Sequence, residues 1–391
     1  MEETLIVVVV SLLYSFLLAE IFYRLRFPRV IGQIVAGVLL GLPLFGWLFS
    51  ETARHTVGFL AEIGTVFLML FLGLEVSVRY LKSTRKEALL VAVFSAVIPF
   101  LLGYFLMAYL FHYFTPLIGV VVGACLALTA EGTTIKHLEE LKAVTSRVGS
   151  IIIGAAIIDN VFEILLLSVV LVLHEHSVGS LLMLPVKVFI FIEVVLIFYF
   201  VLPKIISFIH KEHSRETTFS VVLIIGLLIA TISKFLQVGT ALGAFIAGMI
   251  IKNAEKDKNE EHDILATLKM FIFSLIVPFF FINVGLHIDF ASIVHNFGLV
   301  LAITSIAFLG KIGGAILITP FTSLSLKQTH LIGWGMNSRG AVELVIAEFA
   351  RLNNMIPIEV YSAIVFMALL TSLAFPIVLR LMVASDSHVL E

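Results

Sequence analysis

The sequence predicts an all-α polytopic membrane protein, and three observations carry that prediction. First, 60% of the 391 residues are hydrophobic and only 13% are charged, with a mean hydropathy of +1.12. Soluble domains run about half apolar and about a quarter charged, so the excess must face lipid or other buried helices. Second, charged or Gly/Pro-marked breaks divide the chain into thirteen apolar runs of the length a bilayer crossing needs, about 20 residues. Third, the basic residues sort to one side of those runs. Strands would leave backbone groups unpaired in lipid, so the runs are read as helices.

In chain order the expected spans are 3–24, 29–48, 56–78, 86–111, 115–138, 146–173, 179–209, 216–236, 239–253, 264–287, 291–319, 327–350 and 356–384. The first run follows an acidic Met-Glu-Glu start and continues into further apolar segments, so no cleavable signal peptide is read there. The second carries Ile31-Gly32-Gln33-Ile34-Val35-Ala36-Gly37, and the third Leu72-Gly73-Leu74. The fifth contains Thr129-Ala130-Glu131-Gly132-Thr133-Thr134. Glycine, β-branched and hydroxyl residues are weak helix formers, which makes this stretch a candidate break. The sixth carries Asp159-Asn160 inside an otherwise apolar run. The ninth holds Leu242-Gly243-Ala244-Phe245-Ile246-Ala247-Gly248 and the tenth Val284-Gly285-Leu286. The eleventh contains Leu309-Gly310-Lys311-Ile312-Gly313-Gly314, and the twelfth the second candidate break, Asn337-Ser338-Arg339-Gly340-Ala341-Val342-Glu343.

Loops and ends on one side carry nineteen Lys and Arg residues, against four on the other, with Lys311 and Arg339 left at membrane depth. The positive-inside rule then puts the N-terminus outside and the C-terminus in the cytoplasm. The expected location is the inner membrane of a bacterial or archaeal cell. Net charge is −2, which argues against a nucleic-acid partner. Cys125 is the only cysteine, so there is no disulfide framework.

The second and ninth runs match at a register of 211 residues, and the third and tenth at 212. Paired runs seven spans apart have opposite orientation. The expectation is two six-helix inverted repeats, 3–173 and 216–384, joined by the linker helix 179–209. Such repeats place a site near the midplane where discontinuous helices meet. Close helix packing explains the small residues equally well.

Charge in the hydrocarbon costs at least about 2.5–3.5 kcal/mol per residue on insertion scales, so each ionisable group there needs an account. Glu20 with Arg24, Glu75 with Arg79 and Glu348 with Arg351 read as pairs near helix ends. His174-Glu175-His176 lacks the spacing of a zinc motif and reads as a solvated loop. Asp159 has Lys311 as its obvious partner; the other readings are a helix–helix polar contact for the acid and snorkelling for the lysine. Glu131 and Arg339 either neutralise half-helix dipole ends or contact an ion directly. Arg339 and Glu343, four apart, are candidates to pair. Glu163, one turn from Asp159 on the same face, extends the site, and Glu193 has no assigned place.

The whole chain resembles the monovalent cation:proton antiporter superfamily, in its sodium/proton branch with thirteen helices. The resemblance rests on the Ala156-Ile157-Ile158-Asp159-Asn160 run, Lys311, Pro278-Phe279-Phe280-Phe281 with Val284-Gly285-Leu286, and the two broken helices. It implies a homodimer in which a core domain (56–173 and 264–384) moves in an elevator-like way against a scaffold domain (3–48 and 179–253). It also implies a membrane-centre acid that binds a cation or protons by turns, with the lysine paired to it. Members read Asp-Asp or Asn-Asp at this spot, whereas here the order is Asp159-Asn160, so an amide stands where the principal ligand is expected. Glu131, on the facing broken helix, is the candidate for the missing carboxylate.

The resulting expectation is a secondary transporter, not an enzyme, with no cofactor beyond the transported Na+ or K+ and protons. Asp159, Asn160, Glu131 and Thr129 form the ion and proton site, Lys311 is the charge partner, and Glu163, Ser338, Arg339 and Glu343 are accessory. A cation channel, an organic-anion transporter and a non-transporting sensor on the same fold are the alternatives. An intramembrane protease is disfavoured for want of a recognisable catalytic set.

Overall fold

The computed structural model describes residues 2–45, 50–75, 86–111, 114–173, 178–210, 215–236, 238–254 and 266–390. Among them the regular structure is entirely helical, with no strand. The helices are α1 Glu2–Arg24, α2 Arg29–Leu40, α3 Glu51–Glu75, α4 Lys86–Phe105, α5 Pro116–Ala127, α6 Glu131–Glu140, α7 Arg147–Leu173 and α8 Val178–His210. They continue with α9 Arg215–Phe235, α10 Thr240–Ala254, α11 Ala266–Leu286, α12 Phe290–His295, α13 Phe297–Leu317, α14 Leu326–Gly335, α15 Val342–Leu352 and α16 Ile358–Ser385. Among the described residues, 7 helical segments are long and apolar enough to cross a membrane, the span 116–140 counting α5 and α6 together.

Local sequence explains several boundaries. Pro116 opens α5 at a position where its missing N–H has no intrahelical role. Ser325 and Gln328 form a reciprocal capping box at the start of α14. In α11 a wide π turn, Ile272–Ile276, immediately precedes Pro278. Proline cannot donate to the carbonyl four residues back and its ring crowds that carbonyl, so the widened turn fits the ring without ending the helix.

Contacts divide the chain into two compact units. The first comprises Met1–Phe16, Gln33–Ser77 and Leu171–Leu286. Its helices approach at glycines. A Cβ added at Gly285 would stand 2.9 Å from the Gly37 Cα, and one at Gly73 would stand 3.1 Å from the Gly248 Cα. Backbones this close admit no side chain larger than hydrogen. Val7, Leu40, Val57, Phe279 and Ile282 fill a core beside this contact.

The second unit comprises Leu17–Gly32, Val78–Val170 and His287–Glu391. Its core joins α4, α7, α13, α14 and α16 through Val91, Ile152, Ala315, Ile332 and Phe375. Packing therefore groups α3 and α11 with the first unit, whereas the expected core domain includes both.

The expected ion pairs fare unevenly. Arg24 Nε donates to Glu20 at 3.0 Å and Arg351 to Glu348 at 2.7 Å. Arg79 lies outside the described residues; among them, Glu75 pairs with Lys269 at 3.6 Å. The His174-Glu175-His176 stretch also lies outside them. Glu193 is exposed on α8.

Candidate functional site

The second unit contains two interrupted helices. α5 stops at Ala127 and α6 begins at Glu131, with Leu128 and Ala130 extended between them. α14 stops at Gly335 and α15 begins at Val342. Each break frees backbone groups that membrane depth would leave unsatisfied, and the two breaks meet each other's needs. Ala130 N donates to Ser338 O at 3.0 Å, and Ser338 Oγ donates to Ala130 O at 2.9 Å. Thr134 Oγ1 and Ser338 Oγ lie 2.5 Å apart. Thr129 Oγ1 donates to Met336 O at 3.2 Å, and Thr134 Oγ1 to Gly335 O at 3.2 Å.

An α-helix ends with four carbonyls that have no intrahelical partner. At the end of α5 those oxygens are met by two buried cations. Arg339 Nη1 donates to Cys125 O at 3.2 Å, Leu126 O at 3.0 Å and Leu128 O at 2.6 Å, and Lys311 Nζ donates to the remaining one, Ala127 O. Both positive groups thus sit at the negative end of a half-helix dipole. Glu131 and Glu343 lie in the first turns of α6 and α15, where negative charge is favoured. Arg339 thus lies against the carbonyl end of α5.

Lys311 is fully buried and does not snorkel. Besides Ala127 O, its ammonium reaches Thr129 Oγ1 at 2.6 Å and Asp159 Oδ2 at 3.5 Å. Three donors therefore find three acceptors. Asp159 is also fully buried, and its Oδ1 has no hydrogen-bond partner among the described residues. The flanking glycines of Lys311 allow this depth. Gly310 packs on Pro99 of α4, and a Cβ at Gly314 would stand 2.5 Å from Phe94 O.

The predicted residues divide as follows. Asp159, Lys311 and Thr129 come together directly, and Ser338 joins the crossing one bond away. Glu163 is 8% exposed on α7, within electrostatic reach of Asp159, Glu131, Glu343 and Lys311. Glu131 is half-buried at the head of α6. The Asn160 side chain lies outside the described residues. The expected Arg339–Glu343 bond is not formed. Arg339 turns to the α5 carbonyls, while Glu343 Oε1 accepts from Gly340 N at 2.6 Å. Sequence reasoning missed Thr134 and the part Lys311 plays in closing α5. A hydroxyl one turn after a suspected break is the signal that points to the first.

The whole-chain pattern can be set beside known proteins. A family model described as sodium/hydrogen exchanger, transmembrane, matches residues 8–385. The chain belongs to that family. It is 28% identical to the Na(+)/H(+) antiporter of Enterococcus hirae over 361 residues, covering 91% of this chain and 92% of that one. It is 28% identical over 370 residues to the Na(+)/H(+)-K(+) antiporter GerN of Bacillus cereus, covering 94% and 93% of the two chains. In fold it is similar to the sodium proton antiporter MjNhaP1 from Methanocaldococcus jannaschii, with a TM-score of 0.72 at 17% identity over 97% of this chain and 96% of that one.

Proposed function

We propose that this sodium/hydrogen exchanger family member is a transporter, not an enzyme, that exchanges Na+ or K+ for protons by alternating access. The observation that carries the reading is Asp159, fully buried beside two helix breaks, with one oxygen 3.5 Å from an equally buried Lys311 ammonium and the other without a hydrogen-bond partner among the described residues. A carboxylate held at such a cost is a functional group before it is a structural one.

The mechanism is competition. With no cation bound, the Lys311 ammonium or a proton neutralises Asp159. A dehydrated monovalent cation displaces that compensation, the proton leaving the Asp159 carboxyl or the Lys311 ammonium for the aqueous side, and takes oxygen ligands from Asp159, Thr129, Glu131, Asn160 and the opened backbone. An empty, charged site is too costly to carry across the hydrophobic barrier, so only the loaded or protonated forms cross, and exchange follows. Glu163 supplies a further titratable carboxyl one turn away. Ser338, Arg339 and Glu343 hold the two breaks in register around it.

The wider organisation is part of the same proposal: thirteen crossings, two inverted repeats, a homodimer, an elevator-like core, and an inner-membrane position with the C-terminus cytoplasmic. The glycine contacts support the repeat. Sequence register equates Gly37 with Gly248 and Gly73 with Gly285, while packing pairs Gly37 with Gly285 and Gly73 with Gly248. Two units related by a twofold exchange partners in this way.

The test is reconstitution in proteoliposomes with a pH-sensitive dye, over Na+, K+ and Li+, with the membrane potential clamped and unclamped. Cation-driven proton movement is expected, and Asp159→Asn is expected to abolish it. Near-normal exchange in Asp159→Asn removes that residue from the mechanism, and flux indifferent to a counter-gradient marks a channel. Glu131→Gln impairs exchange as severely if it supplies the missing carboxylate.

A further inference from the structure

The second unit also holds a cavity of about 610 Å³ between the turn joining α1 to α2 and the length of α6, its wall beginning at Gly132 and Thr133 just past the first helix break. Tyr23, Arg26, Arg29, Lys136, His137 and Glu140 are among its walls. Such a volume is within the range of small-molecule sites, roughly 300–1,000 Å³, and far exceeds a bare ion.

The charge of this cavity is one-sided. Glu140, the single carboxylate in its wall, already accepts from Arg380 at 2.7 Å. Arg29 reaches Glu20 at 3.4 Å, and Glu20 is shared with Arg24. Arg26 and Lys136 have no carboxylate partner among the described residues. Two of the cations are gathered on one ring: the Arg29 guanidinium carbon lies 4.4 Å from the Tyr23 centroid and Lys136 Nζ lies 4.3 Å from it. Arg29 leans on Glu20, but Arg26 and Lys136 are left without a carboxylate among the described residues, so the cavity carries more positive than negative charge.

The backbone makes the same point at Arg26. α1 ends in a Schellman turn, with Arg26 N donating to Tyr23 O at 2.9 Å and Phe27 N to Phe22 O at 2.9 Å. The left-handed residue of that turn is usually glycine, because a Cβ is strained there. Here it is Arg26, with φ of 67°. A charge needed only to orient the chain in a membrane could stand anywhere in the loop and would not require this strain.

We infer that this cavity binds the phosphate group of an anionic ester, held by Arg26, Arg29 and Lys136 against the Tyr23 ring. Guanidinium forks match phosphate oxygens in pairs, and the ammonium adds a point charge. The phosphate belongs either to an anionic lipid headgroup or to a soluble phosphate ester. Lys136 and His137 lie on α6, whose opening turn is bonded into the helix crossing, so occupancy ties α6 to the α1–α2 turn.

The experiment reads binding before transport, so it stands apart from the exchange reading. Thermal unfolding of the purified protein is followed with inorganic phosphate and with glycerol 3-phosphate, against chloride at equal ionic strength. It is then followed in phosphatidylcholine vesicles with and without phosphatidylglycerol. Arg26→Gly and Lys136→Gln are the variants. Arg26→Gly relieves the left-handed strain, so without ligand it is as stable as the parent or more so, which separates lost binding from lost folding. Each variant is expected to weaken phosphate affinity by about tenfold or more, the scale of one charge-assisted hydrogen bond. Stabilisation by the soluble phosphates, lost in the variants, identifies a soluble ester. Stabilisation by phosphatidylglycerol alone, lost in the variants, identifies a headgroup. If neither probe outdoes its neutral or chloride control, or if the variants respond like the parent, the inference is overturned.

Discussion

Replacing Lys311 by methionine tests the central pair directly, and the structure sets the scale of the effect. Two unit charges 3.5 Å apart attract by about 5 kcal/mol at an effective dielectric of about 20. Both side chains are fully buried, so solvent screening does not reduce that attraction. Against it stands the cost of desolvating both groups, and breaking such a pair by removing one member costs about 3–5 kcal/mol. Methionine also leaves Ala127 O and Thr129 Oγ1 without the ammonium they now accept from. Lys311→Met is therefore expected to lose about 3–5 kcal/mol of stability. Asp159→Leu alone is expected to lose about as much, because it strands the ammonium. The double variant is expected to recover at least about 2 kcal/mol of the summed loss, since apolar replacement of a whole buried pair is often neutral. Reversible unfolding in mixed micelles, titrated with a denaturing detergent and followed by circular dichroism, measures all three. If the double variant loses the sum of the two singles to within about 0.5 kcal/mol, the groups are independent and the competition mechanism has no basis.

Other expectations follow from the same geometry. Gly73→Val puts a side chain into the Gly248 backbone and is expected to cost at least about 1–3 kcal/mol, whereas Gly58→Ala on the same helix, where a Cβ meets nothing within 4 Å, is expected to gain about 0.5–1 kcal/mol; the same detergent titration compares them. Ser338→Ala removes the hydroxyl bonded to Ala130 O and Thr134 and is expected to cost about 1–2 kcal/mol while quickening amide exchange at Ala130. Asp289, at the head of the short α12, accepts from Ser292 Oγ at 2.8 Å and from Ala291 N at 2.9 Å, and the Ser292 hydroxyl, first among these, holds its carboxyl below the ordinary range. Its contribution is present above the ordinary carboxylate range and lost as pH falls through the lowered value. Asp289→Ala is therefore expected to lower the unfolding temperature at neutral pH and to leave it unchanged in strong acid.

How much of this was legible in the sequence depends on the range of the interaction. Helix existence followed from apolar runs, and both breaks from clusters of glycine and hydroxyl residues near Thr129 and Ser338. The Asp159–Lys311 pair was legible because Lys311 is the one charge in its apolar stretch and Asp159 lies in the middle of another, so each calls for a partner of opposite sign. The Arg339–Glu343 expectation failed because a spacing of four assumes a continuous helix. The chain is not helical until Val342, so the guanidinium points to the carbonyls of α5 instead. Nor could a one-dimensional reading find that Lys311 completes the end of α5. Helix-end carbonyls carry no residue signature, and the partner is 184 positions away.

The bonds between Ala130 and Ser338 have a consequence for how such a chain can change over time. Neither interruption is self-sufficient, because each lends the other the donors and acceptors that lipid cannot provide. Straightening one segment into a continuous helix would orphan the gap opposite it, with no single substitution able to repair both. A substitution that closes either gap is therefore expected to cost stability at the other.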